Sequence, residues 1–190
     1  MKYLFFDTET TGLPDNYKAP YTETENWPRI VQLSWILADD YGDVKKETDH
    51  IVKVDFDIPA DASRIHGITN EVSEEKGTPV IDILNTFLLD LKKVERLICH
   101  NVDFDLTVLK SELYRSNLKH DIQLPTFCTM KSSTNFCQIP GNRGYKWPRL
   151  EELYSICFNK KLKNAHNALA DVRATHKIFY HLKKEMVFSV

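Results

Sequence analysis

No two of the four cysteines in this 190-residue sequence, Cys99, Cys128, Cys137 and Cys157, stand at C-x-x-C spacing. A zinc knuckle or redox pair is thereby excluded, and reduced thiols in a cytoplasmic protein fit the pattern. An excess of one charge is also missing. Lys and Arg total 25 against 27 Asp and Glu, a net charge of −2, so no global field draws nucleic acid and a polyanion must be held by local patches or metals. The opening stretch MKYLFFDTE meets carboxylates too early for a signal-peptide core or a spanning helix. The expectation is a soluble cytoplasmic protein with no membrane partner. Neither repeats, low-complexity tracts nor linkers divide the chain, so one domain over residues 1–190 is expected. Apolar residues make up 42% and charged residues 27%, which rules out disorder as the main state.

What is present reads as alternating elements. Lys2 to Asp7 is an apolar run ending in carboxylates, the pattern of a strand buried on both faces whose carboxyl end opens into a site. Asp15 to Arg29 is a polar stretch with Pro20 and Pro28, too long for an ordinary connection. Ile30 to Ala38 and His50 to Val54 read as strands around the turn residues Tyr41, Gly42 and Asp43. Thr78 as a cap and Pro79 as a first helical residue open a helix with Val80, Ile81, Leu84, Phe87, Leu88 and Leu91 at helical spacing. Arg96 to His100 is a short strand, and Leu106, Leu109 and Leu113 mark one face of the next helix. Gln123 to Cys128 reads as a strand, Glu151 to Phe158 and Leu169 to Lys184 as helices, the last with Val172, Phe179 and Leu182 inward. This order predicts an α/β fold with one mixed sheet covered by helices.

Three sets of residues can carry chemistry. Asp7 and Glu9 stand two apart, on one face of an extended strand, where their repulsion calls for a shared proton or a cation. His100-Asn101-Val102-Asp103-Phe104-Asp105 spans a strand-to-helix junction, where open α/β sheets gather ligand groups. Helix-dipole stabilisation alone also accounts for Asp103 or Asp105 there. His166 and Asp171 are five apart, about 140° of rotation in a continuous helix, so they converge only if His166 precedes the helix. Asn164 and Asn167 supply capping chemistry for such a break.

Taken together, FDTETTG, HN-x-x-FD and H-x-A-x-x-D, in this order from Phe6 to Asp171, resemble the three sequence blocks of the DnaQ-like 3′-to-5′ exonucleases, in the DEDDh branch that holds the proofreading epsilon subunits of bacterial DNA polymerase III. Ile65-His66-Gly67-Ile68-Thr69 is similar to a further loop of that family, and equally to a capped turn. The resemblance implies a ribonuclease H-like mixed five-stranded sheet flanked by helices. It implies Asp7, Glu9, Asp105, His166 and Asp171 as catalytic residues, with Asp103 a bystander. Two divalent ions, Mg²⁺ or Mn²⁺, are implied on the four acids: Asp7 bridging, Glu9 and Asp171 on the ion that binds the nucleophile, Asp105 on the second. His166 would be the general base, suited by histidine's ordinary pKa near 6.5.

The implied substrate is a single-stranded or frayed DNA 3′ end, held at Thr10, Thr11, His66 and Phe104, with a DNA polymerase as possible partner. RNA trimming of the oligoribonuclease or ribonuclease T type is the alternative within enzymes. A non-catalytic domain binding nucleic-acid ends is the alternative outside them. Tyr17, Tyr21 and Trp27 in the long insert suit either base stacking or pinning of the loop. Lys160, Lys161 and Lys163, and Arg143, Lys146 and Arg149, suit either phosphate contact or a solvated surface. The one helix expected after Asp171 leaves no room for a polymerase-tethering domain.

Overall fold

The computed structural model describes residues 2–189. The run that opens the sequence forms β1 (Tyr3–Thr10), and it is the centre of the fold. Its side chains are apolar on both faces because both faces are covered. Leu4 and Phe6 join one buried cluster, Tyr3 and Phe5 another. On one side β2 (Ile30–Ala38) runs antiparallel to it and β3 (Val44–Lys53) antiparallel to β2; on the other β5 (Arg96–Cys99) runs parallel to it and β6 (Thr126–Cys128) parallel to β5.

The sheet has six strands rather than five, in the order β4-β3-β2-β1-β5-β6. The extra one, β4 (Thr78–Pro79), is only two residues long and pairs parallel to the end of β3. Thr78 and Pro79 therefore extend the sheet edge instead of opening a helix. Pro79 takes the N-cap position and α3 (Val80–Leu91) starts one residue later. Ile81 proves exposed, whereas Ile83 is buried with Leu84, Phe87 and Leu91. The sequence also predicts β3 too short, because its outer half, Val44 to His50, alternates charged and polar side chains on a solvated edge.

Helices cover both faces. On the Leu4 and Phe6 side lie α3 and α4 (Val102–Arg115). On the Tyr3 and Phe5 side lie α7 (Leu150–Phe158) and α8 (Ala168–Lys184), with Val172, Phe179 and Leu182 inward as their spacing predicts. Two helices absent from the sequence reading, α1 (Ala60–His66) and α2 (Asn70–Lys76), follow β3. Gly67 closes α1 with φ of 75°, a left-handed conformation that glycine adopts at little cost, and Thr69 Oγ1 caps α2 by accepting from Val72 N–H at 3.3 Å. The Ile65 to Thr69 segment is thus both a capped turn and a helix end. Short helices α5 (Thr129–Ser132) and α6 (Thr134–Cys137) and a hairpin of β7 (Pro140–Gly141) and β8 (Gly144–Tyr145) fill the stretch before α7.

The polar insert between β1 and β2 is fastened rather than loose. Buried Glu112 of α4 accepts from Arg29 Nε at 3.1 Å, from Ile30 N–H at 3.3 Å and from Arg115 Nη1 at 3.1 Å. Arg115 in turn donates to the carbonyls of Thr24 and Trp27. A paired, fully hydrogen-bonded buried carboxylate of this kind is costly to break, since removing one partner strands the other.

Gly77, between α2 and β4, has no room for a side chain: a Cβ there would stand 2.2 Å from Ser73 O and 2.5 Å from Lys53 Cα. Both neighbours are backbone, so relief requires moving α2 away from β3. Gly77→Ala is therefore expected to destabilise the fold by about 2 kcal/mol, seen as a melting temperature lower by about 6 °C.

Candidate active site

The carboxyl end of β1 lies between two helix amino termini that approach from opposite faces of the sheet. Asp105 belongs to the first turn of α4, and Asp171 to the first turn of α8. Asp7 and Glu9, two apart on β1, complete the group. Carboxylate oxygens of Asp7, Glu9 and Asp171 lie within 4.8 Å of one another, and so do the donor atoms of Asp7, Cys99 and Asp105. Asp7 is common to both sets. The four acids predicted to meet do so, and Asp103 is turned away into an ion pair with Lys131.

Local sequence explains each placement. Asn101, the N-cap of α4 two residues after β5, takes a left-handed conformation, φ of 78°, which asparagine tolerates, and the chain turns at once into α4. Asp105 Oδ1 then accepts from Thr8 Oγ1 at 2.7 Å and Thr8 N–H at 3.2 Å, while Oδ2 accepts from Cys99 Sγ at 3.2 Å. For the second helix, Asn167 caps α8 by accepting from Ala170 N–H at 3.2 Å. Gln32 Oε1, on the strand beside β1, accepts from Ala168 N–H at 3.1 Å and ties the start of α8 to the sheet. His166 precedes the helix, as its spacing from Asp171 requires. It has φ of 66°, an exposed ring, and a backbone N–H that donates to Asp171 Oδ2 at 3.0 Å. Its Nε2 stands 3.5 Å from Glu151 Oε1 of α7.

The electrostatics are unfavourable in the absence of a cation or added protons. Two unit charges about 5 Å apart at an effective dielectric near 20 repel by about 3 kcal/mol, whereas a helix amino terminus returns only about 1 kcal/mol. Burial first, then Asp105, Asp171 and Glu9, pushes the Asp7 carboxyl well above the ordinary carboxylate range. Burial, then Asp171 and Asp105, lifts Glu9 to about 8. Burial also lifts Asp105 and Asp171, each to about 6, against the lowering effect of the donors from Thr8, Cys99 and His166. Asp171 Oδ1 is buried with no hydrogen-bond partner. Hard oxygen donors that converge, with one of them orphaned, fit a divalent cation such as Mg²⁺ or Mn²⁺. Burial and the nearby carboxylates raise the Cys99 thiol well above its usual value, so it serves as a donor to Asp105 rather than as a thiolate.

Beside Glu9 a cavity of about 530 Å³ opens, lined by Thr10, Thr11, His66 and Phe104 together with Leu13 and Ile65. All four predicted contact positions therefore face one space. A bulge between Glu9 and Thr10 turns the strand end toward it, and Thr11 N–H and Oγ1 bond the backbone of Arg29. Of the insert aromatics, Trp27 is buried with Nε1 donating to Pro20 O at 3.2 Å, and Tyr21 packs on Tyr114 and His120, so both pin the loop. Tyr17 alone is exposed, with its ring centroid 6.5 Å from that of Phe104. Lys160, Lys161 and Lys163 line a groove of about 610 Å³ with Arg173 and Lys177, bounded by the segment that leads to His166. Lys146 instead pairs with Glu152, whose carboxylate also accepts from Arg149 N–H.

Several supporting residues escaped the sequence reading. Thr8 and Gln32 hold acids in place through long-range hydrogen bonds that no local spacing betrays. His100, although inside a recognised block, is structural: Nδ1 lies 3.0 Å from Thr129 Oγ1, Nε2 lies 3.1 Å from Pro148 O, and burial lowers the ring to about 4.

The exonuclease family model, RNase_T, matches residues 4–179. The chain belongs to the exonuclease family. This exonuclease-family chain is 29% identical over 171 residues to the DNA polymerase III subunit epsilon of Buchnera aphidicola subsp. Schizaphis graminum, covering 88% of its own length and 66% of that protein. E. coli exonuclease I in complex with a dA16 oligonucleotide shares the fold with a TM-score of 0.73 at 22% identity, over 96% of this chain and 40% of that one. Exonuclease X in complex with 5′-overhanging duplex DNA does so at 0.68 and 22% identity, over 98% and 94% of the two chains. The chain thus spans about two thirds of the epsilon subunit and under half of exonuclease I. Among the described residues no helix is long and apolar enough to cross a membrane.

Raised carboxyl groups stabilise the folded chain while they hold protons, fully below pH about 4, and that contribution is lost as pH climbs through 6 and 8. Metal-free protein should accordingly melt at a lower temperature at pH 8.5 than at pH 5.5. Added Mg²⁺ or Mn²⁺ should raise the melting temperature more at the higher pH, and Asp7→Asn should flatten both trends in differential scanning calorimetry.

Proposed function

We propose that this exonuclease-family chain is a 3′-to-5′ exonuclease that releases nucleoside 5′-monophosphates from DNA ends. The observation that carries the reading is Asp7, whose carboxylate is common to an acidic set with Glu9 and Asp171 and to a second set with Asp105. Asp7, Glu9, Asp105 and Asp171 would hold two divalent cations, Mg²⁺ or Mn²⁺. Such a pair, when bound, supplies a nucleophile at neutral pH and neutralises charge that develops on the scissile phosphate.

The chain's own residues do the rest. Thr8 and Cys99 fix Asp105 so that its carboxylate cannot turn from Asp7. Thr10 and Thr11 present backbone, and Phe104 an apolar face, to the terminal nucleotide in the cavity beside Glu9, which His66 also lines. His166 takes the proton of the attacking water at Nε2. Glu151 Oε1 lies 3.5 Å from that nitrogen. Because the imidazole lies on an exposed loop latched to Asp171 only through its backbone N–H, the ring is free to reach the reacting atoms.

DNA is favoured over RNA by the relatives: one is a subunit of DNA polymerase III, and the two similar structures hold DNA. By the same likeness a single-stranded or frayed 3′ end is the proposed substrate and a DNA polymerase the proposed partner.

A 5′-labelled oligonucleotide with Mg²⁺ should shorten from its 3′ end and release 5′-monophosphates. Asp7→Asn and Asp105→Asn should each lower the rate by about 10³-fold or more with the native circular dichroism spectrum retained, since several kcal/mol of transition-state stabilisation pass through these groups. Undiminished release by either variant would refute the assignment.

A further inference from the structure

Two of the three tryptophans, Trp27 and Trp35, are buried, whereas Trp147 leaves 59% of its surface in solvent. An indole left open is informative, because few side chains gain more from being covered. Trp147 follows the β7–β8 hairpin, whose Tyr145 is 50% exposed. Lys131 Nζ lies 5.7 Å from the Trp147 ring centroid. Arg143 at the hairpin tip is exposed and forms no ion pair among the described residues. The patch is therefore aromatic, with the charge of its Lys131 balanced by Asp103.

Its position relative to the carboxylates is fixed by two ties. Pro148, the next residue, accepts from His100 Nε2 at 3.1 Å, and His100 stands at the junction that leads into α4 and Asp105. Lys131 pairs with Asp103, two residues before Asp105. The indole thus stands beside the first turn of α4, the helix that carries Asp105, and takes no part in the cavity lined by Thr10, Thr11, His66 and Phe104.

We propose that Trp147, with Lys131 against its ring, is a stacking platform for an unpaired base of the strand being digested, outside the pocket for the terminal nucleotide. The inference rests on the exonuclease reading and adds to it a residue that would hold a base of the single strand beyond the terminal nucleotide. Every base has a π-face, so such a platform is tolerant of sequence. A paired base offers no free face, so duplex ends gain nothing from it.

The platform carries its own reporter. Titrating the protein with an oligothymidylate of about ten nucleotides in Ca²⁺, whose looser coordination slows turnover, should quench tryptophan emission in a saturable way. Trp147→Phe should abolish the quench yet keep most of the affinity. Trp147→Ala should weaken Kd about tenfold and raise KM on single strands by a similar factor, with kcat within about twofold. Tyr41→Ala, a ring 92% exposed at the far β2–β3 turn, should change neither constant. Unchanged emission and Kd, in protein that still hydrolyses the p-nitrophenyl ester of thymidine 5′-monophosphate, would overturn the platform and leave the exonuclease reading standing. Equal weakening on blunt duplex and single strand would overturn it as well. Failure of the wild-type protein to cleave either the ester or any oligonucleotide would overturn both readings together.

Discussion

Repulsion among Asp7, Glu9, Asp105 and Asp171 is the constraint around which the molecule is arranged. Nothing in a folded chain favours gathering four carboxylates within a few ångströms, and burial aggravates the cost. The arrangement persists because each acid is carried by an element anchored elsewhere. β1 is held by apolar layers on both faces, α4 by Val102, Val108, Leu109 and Leu113, and α8 by Val172, Ile178, Phe179 and Leu182. Local compensation comes from helix amino termini and from the donors on Asp105. It amounts to a few kcal/mol, less than the repulsion it faces. The remainder is available to whatever cation enters, so stability given up by the apo fold is the source of its affinity for metal.

The three-layer architecture serves that cluster directly. Because α4 and α8 lie on opposite faces of the sheet yet begin at the same edge, their first turns converge on the end of β1 from both sides. A single-layer arrangement would bring only one of them there. The cavity beside Glu9 lies at the end of β1, and the exposed Trp147 lies beside the first turn of α4, so two separate surfaces adjoin the elements that carry Glu9 and Asp105.

Much of this was legible in the sequence, and the reasons differ by residue. Asp7 and Glu9 could be read because strand periodicity puts i and i+2 on one face, and His166 because five positions cannot share a helix face with Asp171. The four pocket residues, Thr10, Thr11, His66 and Phe104, were reached through family likeness and not through periodicity. What stayed hidden was non-local. Thr8 and Asp105 are 97 positions apart, Gln32 and Ala168 are 136 apart, and neither pair leaves a trace in local composition. Strand β4 was missed because Thr-Pro before an apolar periodic run reads more naturally as a helix start, and only pairing with Val52 and Lys53 makes it a strand. Helices α1 and α2, at seven residues each, are too short for a periodic signal and declare themselves mainly through Gly67 and Thr69.

The fastening of the β1–β2 insert at Glu112 has a mechanical corollary. Arg29 and Arg115 grip the carboxyl-side root of that segment, while Leu13 lines the cavity beside Glu9 and the Tyr17 ring lies 6.5 Å from that of Phe104. The insert is thus a braced arm: clamped at its base on α4, it holds two side chains against the open space beside the carboxylates without carrying any carboxylate of the cluster itself.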